Sequence, residues 1–83
     1  MGQAPGTAAH GASLDAFRLQ LVLDRAGLWV EYFALGGDAS PDAFDRYLSG
    51  EGLLGIAQHN IIAVALNEQF MDRGLNNPVP YRN

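Results

Sequence analysis

The residues able to do chemistry are few: two histidines, His10 and His59, and a crowd of carboxylates at Asp38, Asp42, Asp45 and Glu51. Carboxylates gathered around an imidazole could hold a divalent cation, but no known ligand spacing joins these positions. A solvated acidic face, with carboxylates at the start of a short helix, is the simpler reading. Nucleophilic catalysis lacks its usual parts, since the chain has no cysteine and neither histidine sits in a motif. The glycine pairs form no GxxxxGK phosphate loop, and all five basic residues are arginines, so no lysine could serve one. No catalytic, cofactor-binding or metal-ligating residue is therefore assigned. The expectation is a protein that is not an enzyme, uses no cofactor and has no evident small-molecule substrate.

Charge narrows the partners further. The formal net charge is -4 over 83 residues, with a pI near 4.7. Nucleic acid is disfavoured as an unaided partner, because phosphate contacts need clustered Lys and Arg. No apolar run is long enough to span a bilayer, and the start of the chain lacks the charged and apolar blocks of a signal peptide. A cytoplasmic protein without a membrane partner is expected. One domain of this size has a marginal core, a range in which a second copy often helps.

The element that would position everything else is Leu53 to Arg73, LLGIAQHNIIAVALNEQFMDR, read as the principal helix. Gly50 and Gly52 precede it, and Gly74 closes it as a residue able to take positive φ. Ala57, Ile61, Val64, Ala65 and Glu68 share one face. Leu54, Ile62, Leu66 and Phe70 form a second, rotated series. The double arc is wider than the stripe of a surface helix and implies neighbours on two sides. Gln58, Asn60, Asn67, Gln69 and Asp72 are left as the wet side.

Before it, Ser13 can cap a helix starting at Leu14, with Asp15 in the first turn. Phe17 to Leu21 also alternates as a strand would, but the chain offers no second strand to pair with it. Asp24-Arg25-Ala26-Gly27 is a candidate break, with Asp24 able to cap a fresh helix. Trp29, Tyr32 and Phe33 then share a face, as core first and as interface anchors second. Gly36 suits the left-handed position that ends this helix. Ser40 as N-cap, Pro41 at the first helical position and Asp42 at the positive end of the dipole start a short helix to Leu48.

The segment Leu28, Trp29, Tyr32, Phe33, Ala34, Leu35, Gly36 and Gly37, followed by SPDAFDRYL, NIIAVALNEQF and PVPY, resembles a group of small actinobacterial proteins sharing an LWxxYFALGG pattern. The likeness covers about residues 28–81. It implies a regulatory or adaptor role, no particular chemistry, and an ordered core starting near Asp24.

The expected fold is all-α: a small domain of three helices over 14–35, 41–48 and 53–73, the first broken near Gly27 if at all. Residues 1–12 are read as a disordered tail, 13–75 as the helical domain and 76–83 as an extended tail that Pro78 and Pro80 bar from helix. Leu75, Val79 and Tyr81 could fold that tail back onto the helices, or the tail could be a ligand for something else. The expected function is a protein–protein interaction or adaptor module, self-associating as a homodimer or pairing with another protein. Trp29, Tyr32, Phe33, Ile62, Leu66 and Phe70 are the interface candidates. The alternative is a helix-turn-helix-like transcriptional regulator using residues 41–73, with Gln58, His59, Asn60 and Asn67 facing DNA.

Overall fold

A computed structural model of the protein describes residues 8–83. Within them the chain forms four α-helices: α1 (Ala8–Arg18), α2 (Arg25–Ala34), α3 (Pro41–Leu48) and α4 (Ile56–Asp72). Each of α1 and α2 packs on both α3 and α4. The all-α class holds, but the helix expected over 14–35 is two helices. Asp24 explains the split. Its backbone is extended, at φ -82 and ψ 171, and its carboxylate accepts the Gly27 N–H at 2.7 Å, so it caps α2 from outside. Arg18 closes the intervening turn by donating to the Leu23 carbonyl at 2.9 Å.

The apparent strand alternation at 17–21 is thus a helix end running into a turn. Phe17 lies edge-on to Phe70 at 6.4 Å, and Leu21 is buried.

α1 also begins earlier than its capping pattern suggested. Residues 8–12, expected in the disordered tail, are helical, whereas residues 1–7 of that tail lie outside the described residues. Ser13 is therefore not an N-cap. Its hydroxyl donates back to the His10 carbonyl at 2.7 Å, as a mid-helix serine can. Gly11 lets α1 cross α3 closely, since a Cβ there would lie 1.9 Å from the Tyr47 carbonyl oxygen.

The principal helix starts at Ile56, not Leu53, with Gly55 as an N-cap lacking a side-chain hydrogen bond. Ser40 caps α3 as expected, accepting the Ala43 N–H at 3.1 Å, with Pro41 at the helix start.

The core is one cluster built from all four helices. Leu14 of α1, Leu28 and Tyr32 of α2, Phe44, Tyr47 and Leu48 of α3, and Ile62, Ala63, Leu66 and Phe70 of α4 are buried in it. Each fully buried large apolar side chain contributes about 1.5–3 kcal/mol through its removal from water. The Ile62, Leu66 and Phe70 series of the α4 arc is thereby buried inside the chain, between α1 and α2, whereas Ala57 and Glu68 of the other series are exposed. Val79 adds a third cover from the segment after Gly74, while Leu75 and Tyr81 stay exposed. Asn67, assigned to the wet side by its type, is only 4% exposed. No helix of the described residues is long and apolar enough to cross a membrane.

Candidate interaction surface

The LWxxYFALGG segment is mostly a device for building one helix end. Tyr32 is buried, and its hydroxyl donates to Gln58 Oε1 while accepting the Ala39 N–H at 2.8 Å. Gln58 Oε1 also accepts the Asp38 N–H at 3.1 Å, so the loop after α2 is pinned to α4. Trp29 Nε1–H donates to the Ala39 carbonyl at 3.0 Å from the other side. Gly36 has φ 101, where a side chain would be strained, and Gly37 lies flat on the Tyr32 ring, where a Cβ would sit 2.3 Å from ring carbons. Five of the eight motif residues, Leu28, Trp29, Tyr32, Gly36 and Gly37, therefore have structural tasks.

Phe33 does not. It is 58% exposed and stacks on the half-buried Trp29 with ring centroids 5.0 Å apart. Val30, 57% exposed, and the exposed Ala26 lie on the same outer side of α2 by three- and four-residue spacing. Beside this stripe, α2 and α3 leave a cleft of about 400 Å³ lined by Arg25, Ala26, Trp29, Pro41, Asp42, Phe44 and Asp45. Aromatic and aliphatic walls under a charged mouth are the usual make-up of a site that takes one anchoring side chain.

At the mouth of the cleft, Arg25 ties three helices. Its guanidinium bonds Asp15 of α1 at 3.0 Å, and on α3 it bonds Asp45 at 2.8 Å and the Ser49 hydroxyl at 2.8 Å. Arg18 reaches the same Asp15 carboxylate at 2.6 Å. Burial raises the Asp15 pKa, but hydrogen bonds from Arg18 and Arg25 outweigh it and hold the carboxyl below its ordinary 3.8. The hydrogen bonds that Arg25 donates to Asp15 and Asp45 raise its own pKa in turn. Asp45, one of the four crowded carboxylates, is thus an ion-pair partner. Among the described residues, no group of three or more His, Asp or Glu side chains is placed to hold a metal ion.

His59, which showed no motif, is 3% exposed and bonded through Nδ1 to the Tyr47 hydroxyl at 2.6 Å. Arg82 points a guanidinium nitrogen at that hydroxyl from 3.5 Å, and the His10 ring meets the His59 ring edge-on at 6.3 Å. Burial first, then the charges of Arg82 and His10, lower the His59 pKa to about 4. The Tyr47 pKa is raised by burial, against Arg82. At neutral pH the pair is a neutral imidazole and an un-ionised phenol sealed in the interior. That is a satisfied polar contact between α3 and α4.

Of the six interface candidates, Tyr32, Ile62, Leu66 and Phe70 are core side chains of this chain, at 2% exposure or less. Only Trp29 and Phe33 remain available to a partner. The α4 residues considered for DNA are also occupied, by Tyr32 and Asp38 at Gln58, Tyr47 at His59, Arg82 at Asn60 and Val79 at Asn67. α3 packs mainly on α1 and α2, and seven residues separate it from α4, longer than the tight turn of a helix-turn-helix. Comparison with protein-family models, with curated proteins and with solved structures gives no match to this chain.

Proposed function

We propose that the protein is a non-enzymatic interaction module that self-associates through the outer side of α2. The supporting observation is the Phe33–Trp29 stack, exposed beside Val30 and Ala26 at the edge of the α2–α3 cleft. Water over such a surface is better displaced than held, and aromatic groups are the side chains that most often anchor protein interfaces. A two-fold dimer uses the same patch twice. Antiparallel pairing of α2 with its copy sets Val30 near the axis and each Phe33 toward the other copy's Ala26 side. The arginine staple fixes the position of α2 against α1 and α3, so the α2 surface is presented on a packed element.

The test is Phe33→Asp together with Val30→Asp, compared with the unsubstituted chain in sedimentation and circular dichroism. Both positions are more than half exposed, so the helical signal should be unchanged while any dimer dissociates at least tenfold more readily. Unchanged association in these variants would remove α2 from the interface.

A further inference from the structure

The segment after α4 is held by its backbone, and the way it is held is that of a bound peptide. Asn67 Nδ2 donates to the Val79 carbonyl at 3.0 Å, and its Oδ1 accepts the Val79 N–H at 2.9 Å. Asn60 does the same to Arg82, donating at 3.0 Å and accepting at 2.8 Å. Each carboxamide thus satisfies both polar groups of one residue, a contact that reads the main chain and leaves the side chain unspecified.

The spacing is matched on both sides. The two asparagines are seven positions apart, which is two turns of α4 or about 10.5 Å of rise. Val79 and Arg82 are three positions apart, or about 9.3 Å at polyproline II rise. A strand repeats every two residues and would turn the second residue away, whereas polyproline II repeats every three. Pro78 and Pro80 favour that conformation and fall where no N–H is needed.

Side-chain reading is confined to two positions. Val79 is buried, and Arg82 reaches the Tyr47 hydroxyl, while Leu75, Pro78, Pro80 and Tyr81 are exposed. Apart from the buried Val79, the segment is held by the two asparagine carboxamides and the Arg82 contact, with its other side chains exposed. Its departure would leave the Asn67 carboxamide, now 4% exposed, needing new partners.

We propose that this face of α4 is a peptide-binding site that takes an extended, proline-bearing segment of another protein, with a branched apolar residue three positions before an arginine. Residues 78–82 are its occupant in cis and are displaced when the partner segment binds. The site shares no residue with the α2 surface and does not depend on it.

The probe is a fluorescent peptide of residues 77–83, NPVPYRN, titrated into the full chain carrying Val79→Asp, whose own segment can no longer seat its apolar residue. Saturable binding is expected, at least tenfold tighter than to the unsubstituted chain, where the cis segment competes at high effective concentration. Adding Asn67→Ala should weaken it at least tenfold. A folded Val79→Asp chain that binds no peptide, or binds it equally well without Asn67, overturns the proposal. Amide exchange in the unsubstituted chain gives a second measurement that depends on no variant. The Val79 and Arg82 N–H groups should exchange at least tenfold faster than those of Ile62 and Leu66. Equal protection would mean the segment opens only when the whole protein unfolds, and would equally overturn it.

Discussion

Tyr47 and His59 face each other across the α3–α4 boundary, phenol oxygen to imidazole Nδ1 at 2.6 Å, with the Arg82 guanidinium beside the phenol. Protonating His59 would make both ring nitrogens donors and place a second positive charge next to Arg82. Among the described residues, the groups placed against His59 are Tyr47, Arg82 and His10, and none of them is a carboxylate.

The pH dependence follows with a definite sign. The His59 pKa falls from an ordinary 6.5 to about 4 on folding, so the unfolded chain binds the proton more tightly. Stability from this group is full above pH 6.5 and is lost as pH falls toward 4, by on the order of 3 kcal/mol. Urea unfolding between pH 7.5 and 4 should show the loss, and His59→Phe should flatten it. A profile unaffected by that substitution would assign the acid sensitivity elsewhere.

Asp15 makes a separate, more acidic prediction. Its depressed pKa means that its contribution is present above pH 3.8 and fades as pH drops through the lower folded value. Asp15→Asn at neutral pH should cost about 1.5–3 kcal/mol, because two arginines lose a carboxylate that is only 13% exposed. A double-mutant cycle with Arg25→Ala should return a coupling above 0.5 kcal/mol.

Two glycines should respond in opposite directions. Gly11→Ala drives a methyl into the Tyr47 carbonyl and should cost about 1–3 kcal/mol by forcing α1 away from α3. Gly55 has open space around it and an extended backbone at φ -65, so Gly55→Asp can cap α4 without strain. A gain of about 0.5 kcal/mol in the same unfolding assay is expected.

Leu66→Asp separates core from interface. Leu66 is fully buried between α4 and its neighbours, so an aspartate there should abolish the helical circular-dichroism signal. Retained helicity with altered association would instead place Leu66 on a surface.

Local rules made much of the fold legible. Ser40, Pro41 and Asp24 act as caps, and Gly36 and Gly74 take the positive φ their positions suggested, at 101 and 77. These are effects of one residue on its nearest neighbours, and such effects survive folding. What could not be read was long-range satisfaction. Asn67 looks like a wet-side residue until Val79, twelve positions on, supplies a donor and an acceptor. His59 has no partner in its own helix, and Tyr47 lies twelve positions before it. The apolar arc of α4 suggested a surplus, but α1, α2 and Val79 bury its Ile62, Leu66 and Phe70 series, and exposed apolar side chains lie on α2 at Val30 and Phe33 and outside it at Leu19, Val22 and Leu53. The apolar type of Val79 made its return onto the helices legible, but the pairing of Asn60 and Asn67 with the proline segment was not.

The central claim, self-association through α2, is tested most directly by the solution mass of the unsubstituted chain, by sedimentation from about 1 to 100 μM, where standard dimers dissociate. The expected result is a mass that rises from one chain to two over that range, a shift that Phe33→Asp suppresses. A mass of one chain at every concentration would contradict it.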